Sequence, residues 1–160
     1  MKLVIQRVSR AEVRVGGAVV GRIGTGMLVL VGLELGDAEA QLERAANRLR
    51  TLRVFEDEDG KINRGLDEVG GELLLVSQFT LAGSIRRGRR PSFDRAMPAA
   101  EAEPMFDRLV GMLRAGGLTV ATGSFGAMME VELVNDGPVT LLWDDPPNGA
   151  EERARGDGAD

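Results

Sequence analysis

At 160 residues and 17.1 kDa, the chain fits one compact domain, and 43% hydrophobic with only 4% aromatic residues points to a core of Leu, Val, Ala and Met. Neither cysteine nor histidine occurs, which excludes disulfides, thiolate catalysis, imidazole dyads and triads, and zinc held by either residue. A formal net charge of −5 argues against indiscriminate attraction to nucleic acid, while leaving room for a local basic face.

The first residues, MKLVIQRV, interleave charge with apolar positions and lack a signal-peptide core. No apolar run reaches the length of a membrane helix, so a soluble cytoplasmic protein is expected. Residues 3–9 alternate as a strand, with Arg7 opposite apolar neighbours. Residues 11–15 and 19–23 flank Gly16 and Gly17 as a hairpin, and residues 27–32 form a fully apolar strand. Asp37 can cap a helix from Ala38 whose Leu42, Ala45, Ala46, Leu49 and Leu52 share one face. A short strand over 53–55, a polar turn over 56–60 and a loop or edge segment over 61–64 follow, Asn63 securing the turn.

The apolar run 73–76, bounded by Gly70, Gly71 and polar side chains, reads as a central strand. It ends in Ser77, Gln78 and Thr80, two hydroxyls and an amide beside strand-end N–H groups, which suits recognition of an ester or carbonyl. Phe79 reads as a core residue more readily than as a ring for substrate stacking, and its backbone N–H can serve the site in either case. Thr80 is the obvious side-chain nucleophile, yet no histidine exists to activate it. Arg86, Arg87, Arg89, Arg90 and Arg95 then cluster, as a solvated loop or as a phosphate contact.

Pro104 argues for a helix start near Glu103, with Met105, Phe106, Leu109, Val110, Met112 and Leu113 on its apolar face and Gly116 and Gly117 at its end. Residues 118–122 make another strand. Residues 129–134 alternate, residues 135–138 break the pattern and residues 139–143 resume it, which predicts a hairpin. Residues 145–160 lack apolar periodicity and read as a flexible acidic tail after a domain over 1–144. The expected fold is a single α/β domain with a curled, mainly antiparallel sheet or partial barrel covered by two principal helices. No phosphate-binding glycine loop, dinucleotide fingerprint or metal-ligand spacing occurs, so neither ATP, nor a metal, nor another cofactor is expected.

Four stretches carry a specific resemblance: SQFTL at 77–81, GRRPSF at 88–93, GSFGAMM at 123–129 and NDGPVT at 135–140. Together and in this order they resemble the D-aminoacyl-tRNA deacylases, also called D-tyrosyl-tRNA(Tyr) deacylases, over about residues 1–144. The resemblance implies a homodimer that hydrolyses the ester between a D-amino acid, or mischarged glycine, and the terminal adenosine of tRNA. It implies RNA-assisted chemistry in which the terminal ribose 2′-OH helps activate water and backbone donors near Ser77, Gln78, Phe79 and Thr80 stabilise the oxygen charge. It further implies a cis Gly137–Pro138 bond whose carbonyls enter the other subunit's site and exclude an L side chain. Arg7 would orient that loop, Val139 and Thr140 would support it, and Phe125 and Met129 would shape the adenosine pocket. Arg86, Arg87, Arg89 and Arg90 would touch tRNA phosphate.

Two positions depart from the family's pattern. Met128 stands where an Asp is common, and Arg89 makes the GRRP stretch more basic than the usual Gly-Asn-Arg-Pro. Two other classes fit the same residues: a noncatalytic homodimeric RNA-binding protein, and an esterase for small aminoacyl esters.

Overall fold

The computed structural model describes residues 1–86 and 88–147. Strand β1, Lys2–Val15, organises the sheet, because at 14 residues it is long enough to serve three partners. Its first half lies between β3 (Gly26–Gly32) and β8 (Glu130–Asp144), and its second half between β2 (Ala18–Ile23) and β8. All three pairings are antiparallel. Strands β6 (Glu72–Ser77) and β7 (Val120–Thr122) then extend the sheet in parallel beyond β3. A small ribbon, β4 (Phe55–Glu56) with β5 (Ile62–Arg64), stands apart.

The sheet curls until β2 nearly meets β7. At Gly21 an added Cβ would lie 2.2 Å from the Thr122 carbonyl oxygen, so the approach tolerates no side chain there. The curl divides the core in two. Leu73 and Leu75 of β6 face out toward α1 (Glu39–Thr51) and α3 (Ala99–Ala115), joining Leu42, Leu49, Phe106 and Leu109. Leu74 and Val76 face into the curl with Val8, Val13 and Leu28. A strand buried on both faces explains the unbroken apolar run that marks β6 in the sequence. The expected curled sheet under two principal helices is the observed architecture, supplemented by a four-residue helix α2, Leu66–Val69. Among the described residues, no helix is long and apolar enough to cross a membrane.

Four local expectations need correction. Residues 3–9 and 11–15 form one strand, since β8 pairs with β1 across the exposed Ser9 and Arg10. Asp37 does not cap α1: Ala38 does, its N–H donating to Gln41 Oε1 at 3.0 Å. Asp37 instead accepts from the Met1 α-ammonium at 2.8 Å and from the Glu34 N–H at 2.7 Å. Burial nonetheless pushes its carboxyl above the ordinary range, opposed by those two hydrogen bonds.

Helix α3 begins at Ala99, with Pro104 inside it. Pro104 and Ala100, whose carbonyl loses its usual N–H partner, are both exposed, so the bond is lost on the solvent side of the helix while Ala102 reaches the core. Residues 130–144 form one strand along β1 rather than a hairpin, with residues 136–139 bulging out between two paired stretches. At the start of the expected tail, Asp145 exchanges backbone hydrogen bonds with Met1, and its carboxylate binds Arg44 at 2.7 Å. Residues 148–160 lie outside the described residues.

Candidate functional site

Strand β6 delivers the polar residues of SQFTL to the rim of the sheet. The Gln78 N–H donates to the Val31 carbonyl at 2.8 Å, ending the ladder with β3, and a 3-10 turn, Phe79–Ala82, starts immediately. The turn rests on β3 at Gly32, where an added Cβ would lie 2.7 Å from Leu81 Cβ and 3.1 Å from the Gln78 carbonyl oxygen. Because they open the turn, the Phe79 and Thr80 N–H groups have no earlier carbonyl to bind, and among the described residues they donate to no acceptor. Gln78 Nε2 donates to Thr80 Oγ1 at 2.5 Å. Thr80 is exposed, and no base among the described residues hydrogen-bonds its hydroxyl.

Beside this turn lies a cavity of about 520 Å³. Val31 and Val76 contribute from the sheet, Leu33 from just beyond β3, and Ala102 and Phe106 from α3. Ser77, Gln78 and Phe79 line one side, and residues 125–129 the other. The Phe125 ring packs tilted on Phe106 with centroids 6.0 Å apart. Thus Ser77, Gln78, Phe79, Phe125 and Met129 come together around one largely apolar hollow with a few polar groups, the usual build of a small-ligand site. Thr80 stands outside the lining. The expectation that Phe79 is a core residue fails: its side chain is 57% exposed and meets the Phe93 ring edge-on at 5.2 Å. Met128 lies at the mouth, 93% exposed.

The Gly137–Pro138 loop is elsewhere. Pro138 follows a cis peptide bond, as the resemblance implied, and neither residue lines the cavity of its own chain. The loop is the bulge of β8 opposite Arg7, which is only 5% exposed. Arg7 Nε donates to the Asp136 carbonyl at 2.8 Å and Nη1 to the Val54 carbonyl at 2.7 Å, so one guanidinium ties the bulge to the segment before β4. Sequence reasoning passed over Asn135 as a site residue. Its Oδ1 accepts from the Val139 N–H at 2.7 Å, and its Nδ2 donates to Thr140 Oγ1 at 3.0 Å, closing the base of the bulge. The detectable signal was an Asn two residues before a Gly-Pro pair, a residue type that fastens turns through its own side chain.

Arg86, Arg89 and Arg90 are exposed, with no carboxylate within ion-pairing distance among the described residues; Arg87 lies outside them. Arg95 does not belong with this group, because it pairs at 3.2 Å with the buried Glu34. Among the described residues, no cluster of three or more acidic side chains is arranged to hold a metal ion.

Comparison with known proteins matches residues 4–144 to the family model described as D-Tyr-tRNA(Tyr) deacylase. A D-aminoacyl-tRNA deacylase of Symbiobacterium thermophilum is 58% identical over 144 residues, covering 90% of this chain and 95% of that relative. One from Roseiflexus sp. is 55% identical, covering 90% and 93%. Among solved structures, a c-Myc DNA unwinding element binding protein is 42% identical with a TM-score of 0.86, covering 91% of this chain and 99% of that one. A probable eukaryotic D-amino acid tRNA deacylase, 19% identical with a TM-score of 0.76, shares the fold across 90% of this chain and 98% of its own.

Proposed function

Since the chain belongs to the D-Tyr-tRNA(Tyr) deacylase family, we propose that it hydrolyses the ester joining a D-amino acid or glycine to the terminal adenosine of tRNA. Free amino acid and reusable tRNA are the products, and the reaction takes place in the cytoplasm. The observation that carries this reading is the pair of unpartnered N–H groups of Phe79 and Thr80 at the edge of an apolar cavity, within a chain matched to the family over residues 4–144. The adenosine end sits in the cavity against Phe125 and Met129. The ester carbonyl points at the two amides, which stabilise the negative charge that develops on its oxygen as water attacks.

The base is not supplied by histidine or cysteine, since the chain has neither. The ribose 2′-OH of the substrate assists the attacking water, so the RNA completes the catalytic machinery. Gln78 and Ser77 orient the turn. Stereochemical choice belongs to the Gly137–Pro138 loop of a second subunit, whose carbonyls approach the substrate Cα and leave room for hydrogen or a D side chain only. Its exposure, its separation from its own cavity and its fixing by Arg7 and Asn135 support that role.

Turnover of matched D-, L- and glycyl-tRNA, together with the D-aminoacyl ester of adenosine, tests the proposal. D- and glycyl-tRNA should be hydrolysed and L-tRNA spared. Binding without hydrolysis would favour an RNA-binding protein, and equal turnover of small free esters an esterase. Thr80→Ala should retain near-normal single-turnover hydrolysis, because the Thr80 hydroxyl lacks a base while its amide survives substitution. Lost chemistry with RNA binding intact would instead make the threonine a direct participant.

A further inference from the structure

The loop after the 3-10 turn, whose arginines the family resemblance makes contacts to tRNA phosphate, takes no part in the ester chemistry itself. Ser84 and Ser92 exchange two backbone hydrogen bonds, at 2.8 and 2.9 Å, and between these two residues Arg86, Arg89 and Arg90 are exposed to solvent. Directly after it, Phe93 lies across Gly83, where any Cβ would meet its ring at 2.8 Å, and contacts Phe79 edge-on. Phe79 is itself a wall of the cavity. Two aromatic residues, 57% and 36% exposed in the single chain, therefore continue the cavity mouth toward three arginines that have no carboxylate partner among the described residues, on a chain whose net charge is −5.

We propose that Phe79 and Phe93, with Arg86, Arg89 and Arg90, form a platform for the unpaired nucleotides that precede the terminal adenosine of the RNA substrate. A base stacks on the exposed aromatic surface, and the arginines hold the phosphates on either side of it. Aromatic faces beside a basic track are the chemistry by which proteins take single-stranded RNA without reading its sequence. A duplex partner would need no exposed ring, and an acidic protein would need none either. The platform rests on the deacylation reading for its position along the RNA. It makes the two-base run before the adenosine part of substrate recognition.

The test measures binding of a fluorescein-labelled RNA hexamer ending in CCA, and of the same hexamer made abasic at both cytidines. Phe93→Leu keeps apolar bulk but removes the ring, whereas Phe93→Tyr keeps the ring. The leucine variant should bind the intact hexamer about ten-fold more weakly and the tyrosine variant within about two-fold of the parent. The abasic hexamer should bind poorly to all three. Arg89→Ala with Arg90→Ala should flatten the dependence of log affinity on log salt by about 1.4, a readout that holds if the leucine variant folds poorly. Equal hexamer binding by the leucine and parent proteins overturns the platform. So does a change in solution mass confined to Phe93→Leu, which would assign the ring to a protein interface. A parent protein that binds the hexamer yet hydrolyses neither tRNA-borne nor adenosine-borne D-ester would fail the deacylation reading alone.

Discussion

Arg7→Ala is expected to lower the melting temperature by about 10 °C and to erode the preference for D- over L-aminoacyl-tRNA by about ten-fold or more. The thermal effect follows from position. Arg7 is almost wholly buried in the sheet and donates to two backbone carbonyls, those of Asp136 and Val54, from separate stretches of chain. Hydrogen bonds from a charged donor contribute about 1.5–3 kcal/mol each, so losing two costs about 3–5 kcal/mol, including the carbonyls left dry. For a chain of 160 residues, each kcal/mol corresponds to about 2–4 °C.

The effect on specificity has a different cause. Nε is the side-chain donor that fixes the Asp136 carbonyl one residue before Gly137, and a loop that excludes one configuration by contact must be rigid to do so. Arg7→Lys separates the two effects, since an ammonium retains the charge but cannot span both carbonyls in a fixed fork. It should recover part of the stability and little of the discrimination. Unchanged D/L ratios in Arg7→Ala, measured on folded protein, would mean that Asn135 alone holds the loop.

Much of this arrangement was legible in the sequence, for reasons that differ from element to element. Strand β6 announced itself because burial on both faces demands an uninterrupted apolar run, and the helix faces announced themselves by their spacing. What periodicity could not reveal was continuity imposed by a partner strand. Residues 135–138 look like a terminating turn, yet β8 resumes pairing with the same β1 beyond a bulge over 136–139, so a strand break in the local chemistry is a bulge in the fold.

Pro104 misled in the same manner. Its local penalty argues for a later helix start, whereas the lost bond falls between two exposed residues, Ala100 and Pro104, and costs little beside the burial of Ala102 and Phe106. At the site, the residue types of SQFTL suggested carbonyl recognition. The absence, among the described residues, of acceptors for the Phe79 and Thr80 amides depends on the 3-10 turn, which the apolar periodicity of that stretch does not signal. Phe79 was misread because an aromatic after an apolar strand normally continues the core; here the chain turns at Gln78 and carries the ring outward.

Gly32→Ala should cut single-turnover hydrolysis of D-aminoacyl-tRNA by about 100-fold while lowering stability by only about 1–3 kcal/mol. The 3-10 turn sits on β3 with nothing between them but the missing side chain of Gly32. An alanine Cβ would fall 2.7 Å from Leu81 Cβ, well inside contact distance. Leu81 Cβ cannot swing away as the end of a long side chain could, because it is fixed to the backbone of the turn. Relief therefore requires the turn to move outward by about 1 Å, carrying the Phe79 and Thr80 amides with it. A displacement of that size takes hydrogen-bond donors out of reach of a developing oxyanion, although substrate binding in the adjoining cavity survives. The signature is a fall in kcat with KM little changed. Gly111→Ala is the matched control: in α3, with open space where the Cβ would go, it should leave the rate alone and raise stability by about 0.4–1 kcal/mol. A Gly32→Ala protein that melts lower but turns over normally would show that the reaction does not depend on where the turn holds its amides.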